Sequence, residues 1–192
     1  EFEGNGLSGF GGSGADYIPM RGTGASLALN DYVDAGSGND YIWGGWGNDT
    51  IFSGAGVDNS YGGIGNDTIF SGGGFDIHYT GCGEGDDTIY GGSGADADGL
   101  VLYWGNNAQA LYDGVDPSEI DLQYSGANVI ITFDDGGSVT FAKGEVAVLN
   151  LFDFGHGGTG VAPPGKYDRD VWSAEWDAGS QTFSAFTLAV DG

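Results

Sequence analysis

Residues 35–43 read AGSGNDYIW, and the blocks that follow keep their phase: GGWGNDTIF (44–52), SGAGVDNSY (53–61), GGIGNDTIF (62–70) and SGGGFDIHY (71–79). After an inserted Thr80-Gly81 come CGEGDDTIY (82–90) and GGSGADADG (91–99). Glycine holds the second and fourth places of every block, at Gly36, Gly38, Gly45, Gly47, Gly54, Gly56, Gly63, Gly65, Gly72, Gly74, Gly83, Gly85, Gly92 and Gly94. Aspartate holds the sixth. A unit this short cannot bury its own apolar face and must stack on copies of itself. The glycines permit the positive-φ bends of a tight turn. The last three residues, such as Thr50-Ile51-Phe52, form a short strand whose central side chain opposes its neighbours. Two blocks then make one coil, and blocks eighteen residues apart stack. The aspartates fall into two columns, Asp40, Asp58, Asp76 and Asp96 in one and Asp49, Asp67 and Asp87 in the other.

Adjacent rungs of a sheet lie about 4.8 Å apart. Unit charges at that spacing repel by about 0.9 kcal/mol in water and about 3.5 kcal/mol at an effective dielectric near 20. A hard divalent cation between rungs reverses the sign, because it prefers the carboxylate and carbonyl oxygens that such turns expose. A flexible glycine-rich linker would explain neither the fixed phase nor the Ile at the strand centre.

The pattern resembles the RTX calcium-binding nonapeptide repeat, G-G-x-G-x-D-x-hydrophobic-x. That resemblance implies an all-β fold, a right-handed parallel β-roll, with calcium held between stacked turns by their aspartates and turn carbonyls. It implies about five to seven calcium ions. It also implies type I secretion and an extracellular or cell-surface location.

With 4 Lys+Arg against 28 Asp+Glu the 192-residue chain carries a net charge of −24. That balance excludes nucleic acid as a natural partner and argues against an anionic membrane surface. Such acidity would suggest disorder, but 11 Phe, 10 Tyr and 5 Trp argue for a packed fold. About six divalent ions would cancel about half the charge. The single Cys82 rules out an internal disulfide framework and reads as an incidental thiol. No run reaches membrane-spanning length, so no membrane insertion is expected, and no secretory leader heads the sequence. Glu1 in place of Met points to a processed product or a fragment.

Residues 1–34 read as degenerate rungs that cap the roll. GGSGADYIP (11–19) is a full match with Asp16 and Ile18, although Pro19 cannot donate to a ladder. RGTGASLAL (21–29) puts Ser26 in the aspartate's place, whereas Asn30-Asp31-Tyr32-Val33 would align Asp31 with Asp49; the sequence leaves both phasings open. Asp16 and Asp31 join the candidate ligands.

Residues 35–99 form two unlike sheets. One centres on Ile51, Ile69 and Ile89 and carries Thr and aromatic residues outside; the other centres on Ile42, Ser60, His78 and Asp98, with Trp43, Tyr61 and Tyr79 outside. Ser60, His78 and Asp98 stack in the order of a nucleophile, base and orienter. Strand centres point inward, however, and no oxyanion hole is evident, so polar pairing in a narrow interior is the expected role and no catalytic residue is assigned. His78 lacks the second His or Cys that a transition metal would want. Outward aromatic rows are usually covered by something, here the chain's own C-terminal part or a second copy.

Residues 100–155 lose the glycine pattern and read as a small antiparallel β-meander with strands at 100–103, 120–124, 129–133, 138–141 and 146–154. Asp134 and Asp135 fit a hairpin turn. The stretch DPSEIDLQYSGANVIITFDDGGSVTF resembles the β segment that often follows RTX repeats in secreted bacterial proteins. Residues 156–192 comprise a Gly/Pro connector, HGGTGVAPPG (156–165), then Trp172, Trp176 and a strand over 183–190. These readings converge on a non-enzymatic, calcium-folded extracellular protein that associates with itself in a fibre, surface layer or matrix. The alternatives are the non-catalytic calcium-binding module of a secreted enzyme, or an adhesin whose aromatic rows meet an extracellular polysaccharide or ice.

Overall fold

The structure, a computed structural model, describes residues 8–20, 29–82, 84–92, 96–104, 120–134, 136–153 and 170–189. Ten strands build the roll: β1 (Ser8–Ser13), β2 (Tyr17–Pro19), β3 (Tyr32–Ser37), β4 (Tyr41–Trp46), β5 (Thr50–Ala55), β6 (Asn59–Ile64), β7 (Thr68–Gly73), β8 (Ile77–Cys82), β9 (Asp86–Tyr90) and β10 (Asp98–Trp104). Odd-numbered strands stack in parallel in one sheet and even-numbered strands in the other. The chain therefore changes sheet at every turn and returns after two blocks. Thr50, Ile51 and Phe52 lie in register with Thr68, Ile69 and Phe70, which lie in register with Thr88, Ile89 and Tyr90.

Most of the roll strands are six residues long where three were expected. Gly54 takes a φ of +105° and Gly72 of +94°, so the backbone bends while its ladder continues through Ala55 and Gly73. One further inward position per block results: Ala35, Ser53, Ser71 and Thr80 are buried beside Val33, Ile51, Ile69 and His78.

At the N-terminal end the open phasing resolves onto Asp31, since Tyr32 pairs with Thr50 and Val33 with Ile51. Pro19 lies on β2, the outermost strand of its sheet, where its missing donor leaves no ladder bond unmade on the solvent side. Ser26 and the rest of 21–28 lie outside the described residues, as do Gly83, Gly94, Asp135, the 156–165 connector and the end of the tail.

The later strands are β11 (Ile120–Ser125), β12 (Asn128–Phe133), β13 (Ser138–Ala142), β14 (Val146–Asp153), β15 (Asp170–Asp177), β16 (Thr182–Phe183) and β17 (Thr187–Ala189). They extend the two roll sheets edgewise. β13 adds parallel to β9 and carries the antiparallel β12 and β11; β14 adds parallel to β10 and carries the antiparallel β15. The strand expected over 183–190 is two short pieces, both paired with β15.

The interior widens accordingly. A narrow core of Ile18, Val33, Ile42, Ile51 and Ile69 gives way to Leu100, Phe133, Phe141, Leu149, Leu151 and Phe183 in one continuous cluster. Phe183 meets Phe141 edge-on at 6.1 Å and Trp176 at 5.2 Å, and its N–H donates to the Tyr124 hydroxyl at 2.9 Å. Burial of large side chains closes this end of the roll.

Candidate metal sites along two columns of buried carboxylates

Each acidic turn places its aspartate just before a strand, where the backbone N–H of one rung reaches the carboxylate of the next. Asp40 N–H donates to Asp58 Oδ1 and Asp58 N–H to Asp76 Oδ1, both at 2.8 Å, and Asp16 N–H donates to Asp40 Oδ1 at 2.8 Å. The second column runs from Asp31 to Asp49 (2.7 Å), Asp67 (2.8 Å) and Asp87 (3.0 Å). The first column ends on Asp98, whose Oδ1 accepts from Asp76 N–H at 3.1 Å. Asp96, the expected end, is exposed. A second two-residue slip lies between Gly91 and Gly99: Gly99 N–H bonds the Asp76 carbonyl as Ile77 N–H bonds that of Asp58. The same slip takes Gly92 off the pattern, without a positive φ and with its N–H on Asp98 Oδ2 at 2.8 Å.

Every described glycine at the second or fourth place of a block, from Gly36 to Gly85, has a positive φ. An asparagine ladder, missed in the sequence, adds to them. Asn30 Oδ1 accepts from Asn48 N–H and Asn48 Oδ1 from Asn66 N–H, each at 2.9 Å, and Asn66 Oδ1 accepts from Asp86 N–H at 3.0 Å. The signal was the Asn at the fifth place of the GND blocks.

Oδ1 of Asp40, Asp49, Asp58, Asp67 and Asp76 is thereby used. Their Oδ2, and that of Asp16, is buried without a hydrogen-bond partner. Asp40, Asp49, Asp58, Asp67 and Asp76 are at most 1% exposed. A buried carboxylate lacking a donor or counter-charge is strongly unfavourable, and here six recur along the roll axis. Glycine leaves the room beside them: a Cβ on Gly44 would lie 2.6 Å from Asp49 Oδ2. Among the described residues no three His, Cys, Asp or Glu side chains converge on one point. A cation here would therefore combine carboxylate oxygens with turn carbonyls, the hard-oxygen mixture that calcium accepts. The residues fit.

Burial, joined at Asp67, Asp49 and Asp76 by repulsion from neighbouring rung carboxylates, raises the Asp67 carboxyl to about 8, Asp49 to about 7 and Asp76 and Asp87 to about 6. Folded values above the unfolded one mean that protonation favours the metal-free fold. That contribution is fully present below about pH 4 and lost as pH rises through 6 to 8. Calcium must displace these protons, so its affinity has the opposite slope. In EDTA, circular dichroism at pH 4 should show more β structure than at pH 8. Calcium titrations should show at least tenfold tighter binding at pH 8 than at pH 5.5.

Ser60, His78 and Asp98 do not share strand centres. Leu100 stands in register with His78, and Asp98 lies two residues earlier, at the start of β10. Ser60 Oγ lies 2.7 Å from Ser53 Oγ, while His78 Nε2 lies 2.6 Å from Ser71 Oγ and 3.3 Å from Asp98 Oδ2. All are fully buried. The group is a polar interior in which no substrate could reach the serine. Cys82 lies at the end of β8.

Fold and site together define a cation-binding parallel β-roll. Residues 27–59, 61–77 and 83–97 match the RTX calcium-binding nonapeptide repeat, in 4 copies, and the chain carries RTX calcium-binding repeats over these columns. No curated protein sequence matches the chain. It is similar to the crystal structure of the extracellular lipase LipA from Serratia marcescens, at 18% identity and a TM-score of 0.34 over 69% of this chain. The chain spans 18% of that lipase's length. It is also similar to the solution structure of the AlgE6R3 subunit from the Azotobacter vinelandii mannuronan C5-epimerase, at 17% identity and a TM-score of 0.37 over 85% of this chain and 86% of that one. Among the described residues no helix is long and apolar enough to cross a membrane.

Proposed function

We propose that the chain is secreted, that calcium folds it outside the cell, and that the folded roll acts there as a self-associating structural protein of a fibre, surface layer or matrix. The observation that carries the first half is the set of buried aspartate oxygens without a partner. Where calcium is scarce, these carboxylates repel and the glycine-rich chain stays open, in a form that can be threaded through a channel. Where calcium is millimolar, its binding free energy becomes folding free energy. Asp16, Asp31, Asp40, Asp49, Asp58, Asp67 and Asp76 would hold the ions together with carbonyls of the glycine turns.

The second half rests on two aromatic ladders. Phe10, Tyr32, Phe52, Phe70 and Tyr90 follow one another along one sheet at 6.4, 5.3, 4.6 and 4.7 Å. Tyr17, Tyr41, Tyr61 and Tyr79 follow along the other at 5.2, 5.2 and 4.1 Å. The described C-terminal strands extend the sheets sideways and leave Phe10, Tyr32 and Tyr90 exposed at 68%, 40% and 49%. The Phe52, Phe70 and Tyr90 rings lie within 8° of parallel, each pair face to face, so their edges meet solvent. A sugar stacks on a free ring face, whereas a row of edges suits interdigitation with another protein surface. Light scattering should find assemblies in calcium that Phe52→Ser with Phe70→Ser reduces at least tenfold, with the monomer's circular dichroism retained. A wild-type chain that stays monomeric at high concentration in calcium would overturn self-association and favour the accessory module of a secreted enzyme.

A further inference from the structure

Two of the column aspartates differ from the six that carry an orphaned oxygen. Both oxygens of Asp87 are taken, Oδ1 by Asp67 N–H at 3.0 Å and Oδ2 by the Thr80 hydroxyl at 2.5 Å. Both oxygens of Asp98 are also taken: Oδ1 accepts from Asp76 N–H, and Oδ2 from Gly92 N–H at 2.8 Å and His78 Nε2 at 3.3 Å. These are the last aspartates of their columns. We infer that the roll's rows of calcium stop where the protein supplies its own donors: Thr80 and His78 tie off Asp87 and Asp98, which take no ion of their own.

The inference rests on the calcium reading above and fixes where its sites end. The donors are substitutions in an otherwise repeating frame. Thr80 follows Tyr79 as Gly62 follows Tyr61, and the two tyrosines are in register. At Gly62 a Cβ would run into Asp67 Oδ2, so that oxygen keeps open space; at Thr80 a side chain fills the space and its hydroxyl is spent on the carboxylate. His78 likewise stands in register with Ser60. Ser60 is short and bonds only across to Ser53, whereas the imidazole passes Ser71 and reaches the next carboxylate. A carboxylate can only accept, so Nε2 carries the proton. A donor that satisfies a buried carboxylate removes the unfavourable term that a cation would otherwise relieve.

The test is calcium stoichiometry by isothermal titration on the whole chain. Asp67→Asn should lose about one ion relative to wild type, and Asp87→Asn should lose none and change affinity less than about twofold. Thr80→Gly, which restores the residue found one coil earlier, should gain about one ion. Should Thr80→Gly fail to recover the wild-type circular dichroism in calcium, the comparison of Asp67→Asn with Asp87→Asn decides. Equal ion loss in those two, or a folded Thr80→Gly with the wild-type count, overturns the inference while leaving calcium folding intact. A wild-type chain that binds no calcium overturns both.

Discussion

Excess EDTA should abolish most of the far-ultraviolet β signal of the calcium-loaded chain and expand it to the dimensions of an unfolded polymer, reversibly on readdition. Ligand linkage gives the size of the effect. A site that binds only the folded state contributes about 2.7 kcal/mol at one hundred times its dissociation constant. With one ion at each of the six orphaned oxygens, the total is roughly 16 kcal/mol, above the 5–15 kcal/mol by which domains are ordinarily stable. Removing the ions also leaves adjacent carboxylates repelling at rung spacing. The aromatic end around Phe141, Trp176 and Phe183 has no such column, so any residual signal should map there. A chain that keeps its β signal and compact dimensions in EDTA at pH 8 would remove the basis for the whole functional reading.

The second large effect concerns one missing methyl group. Gly56 sits at φ +147°, and a Cβ there would run into the carbonyl oxygen of Gly38 on the adjacent rung. Since that contact is with backbone in a stack of rungs, no rotamer change can relieve it. Gly56→Ala should cost about 3 kcal/mol or more and raise the calcium needed for half-folding several-fold. Gly73→Ala is the control, because its backbone is not left-handed and a Cβ would meet nothing within 4 Å. It should change stability by less than about 1 kcal/mol, any gain coming from the lower entropy of the unfolded chain. Calcium-dependent melts of the two variants separate them. Equal effects would mean that the turns are not packed rung on rung.

The repeat was legible because its physics is local. Glycine at two fixed places and aspartate at a third define turn, strand and coil within nine residues. The two-sheet roll, the Asp40–Asp76 and Asp49–Asp87 columns and the inward Ile51, Ile69 and Ile89 follow from the spacing. What escaped depends on events between repeats. The slip that exchanges Asp96 for Asp98 shows in the folded hydrogen bonds of Gly99 and Asp76, because GADADG offers two aspartates two residues apart. Thr80 read as part of an insertion, yet its backbone continues β8 and the extra length is taken up in the following turn. β15, DVWSAEWD, has no repeat phase and follows a Gly/Pro run, so its sequence alone does not mark it as a strand. Nothing in residues 120–153 announces that their strands pair with the roll. Edge pairing is chosen by which surface is open, and only the folded coils reveal that.

The eighteen-residue return along the second column has an evolutionary corollary. Thr50-Ile51-Phe52 and Thr68-Ile69-Phe70 occupy interchangeable places, so excising residues 53–70 would rejoin Phe52 to Ser71 in phase. The shortened molecule would be one storey lower, by about 4.8 Å, with the contacts of every storey away from the joint unaltered. Gene duplication or loss in units of fifty-four nucleotides can thus tune the height of this protein, and with it the number of ions it takes up, while both end pieces stay as they are.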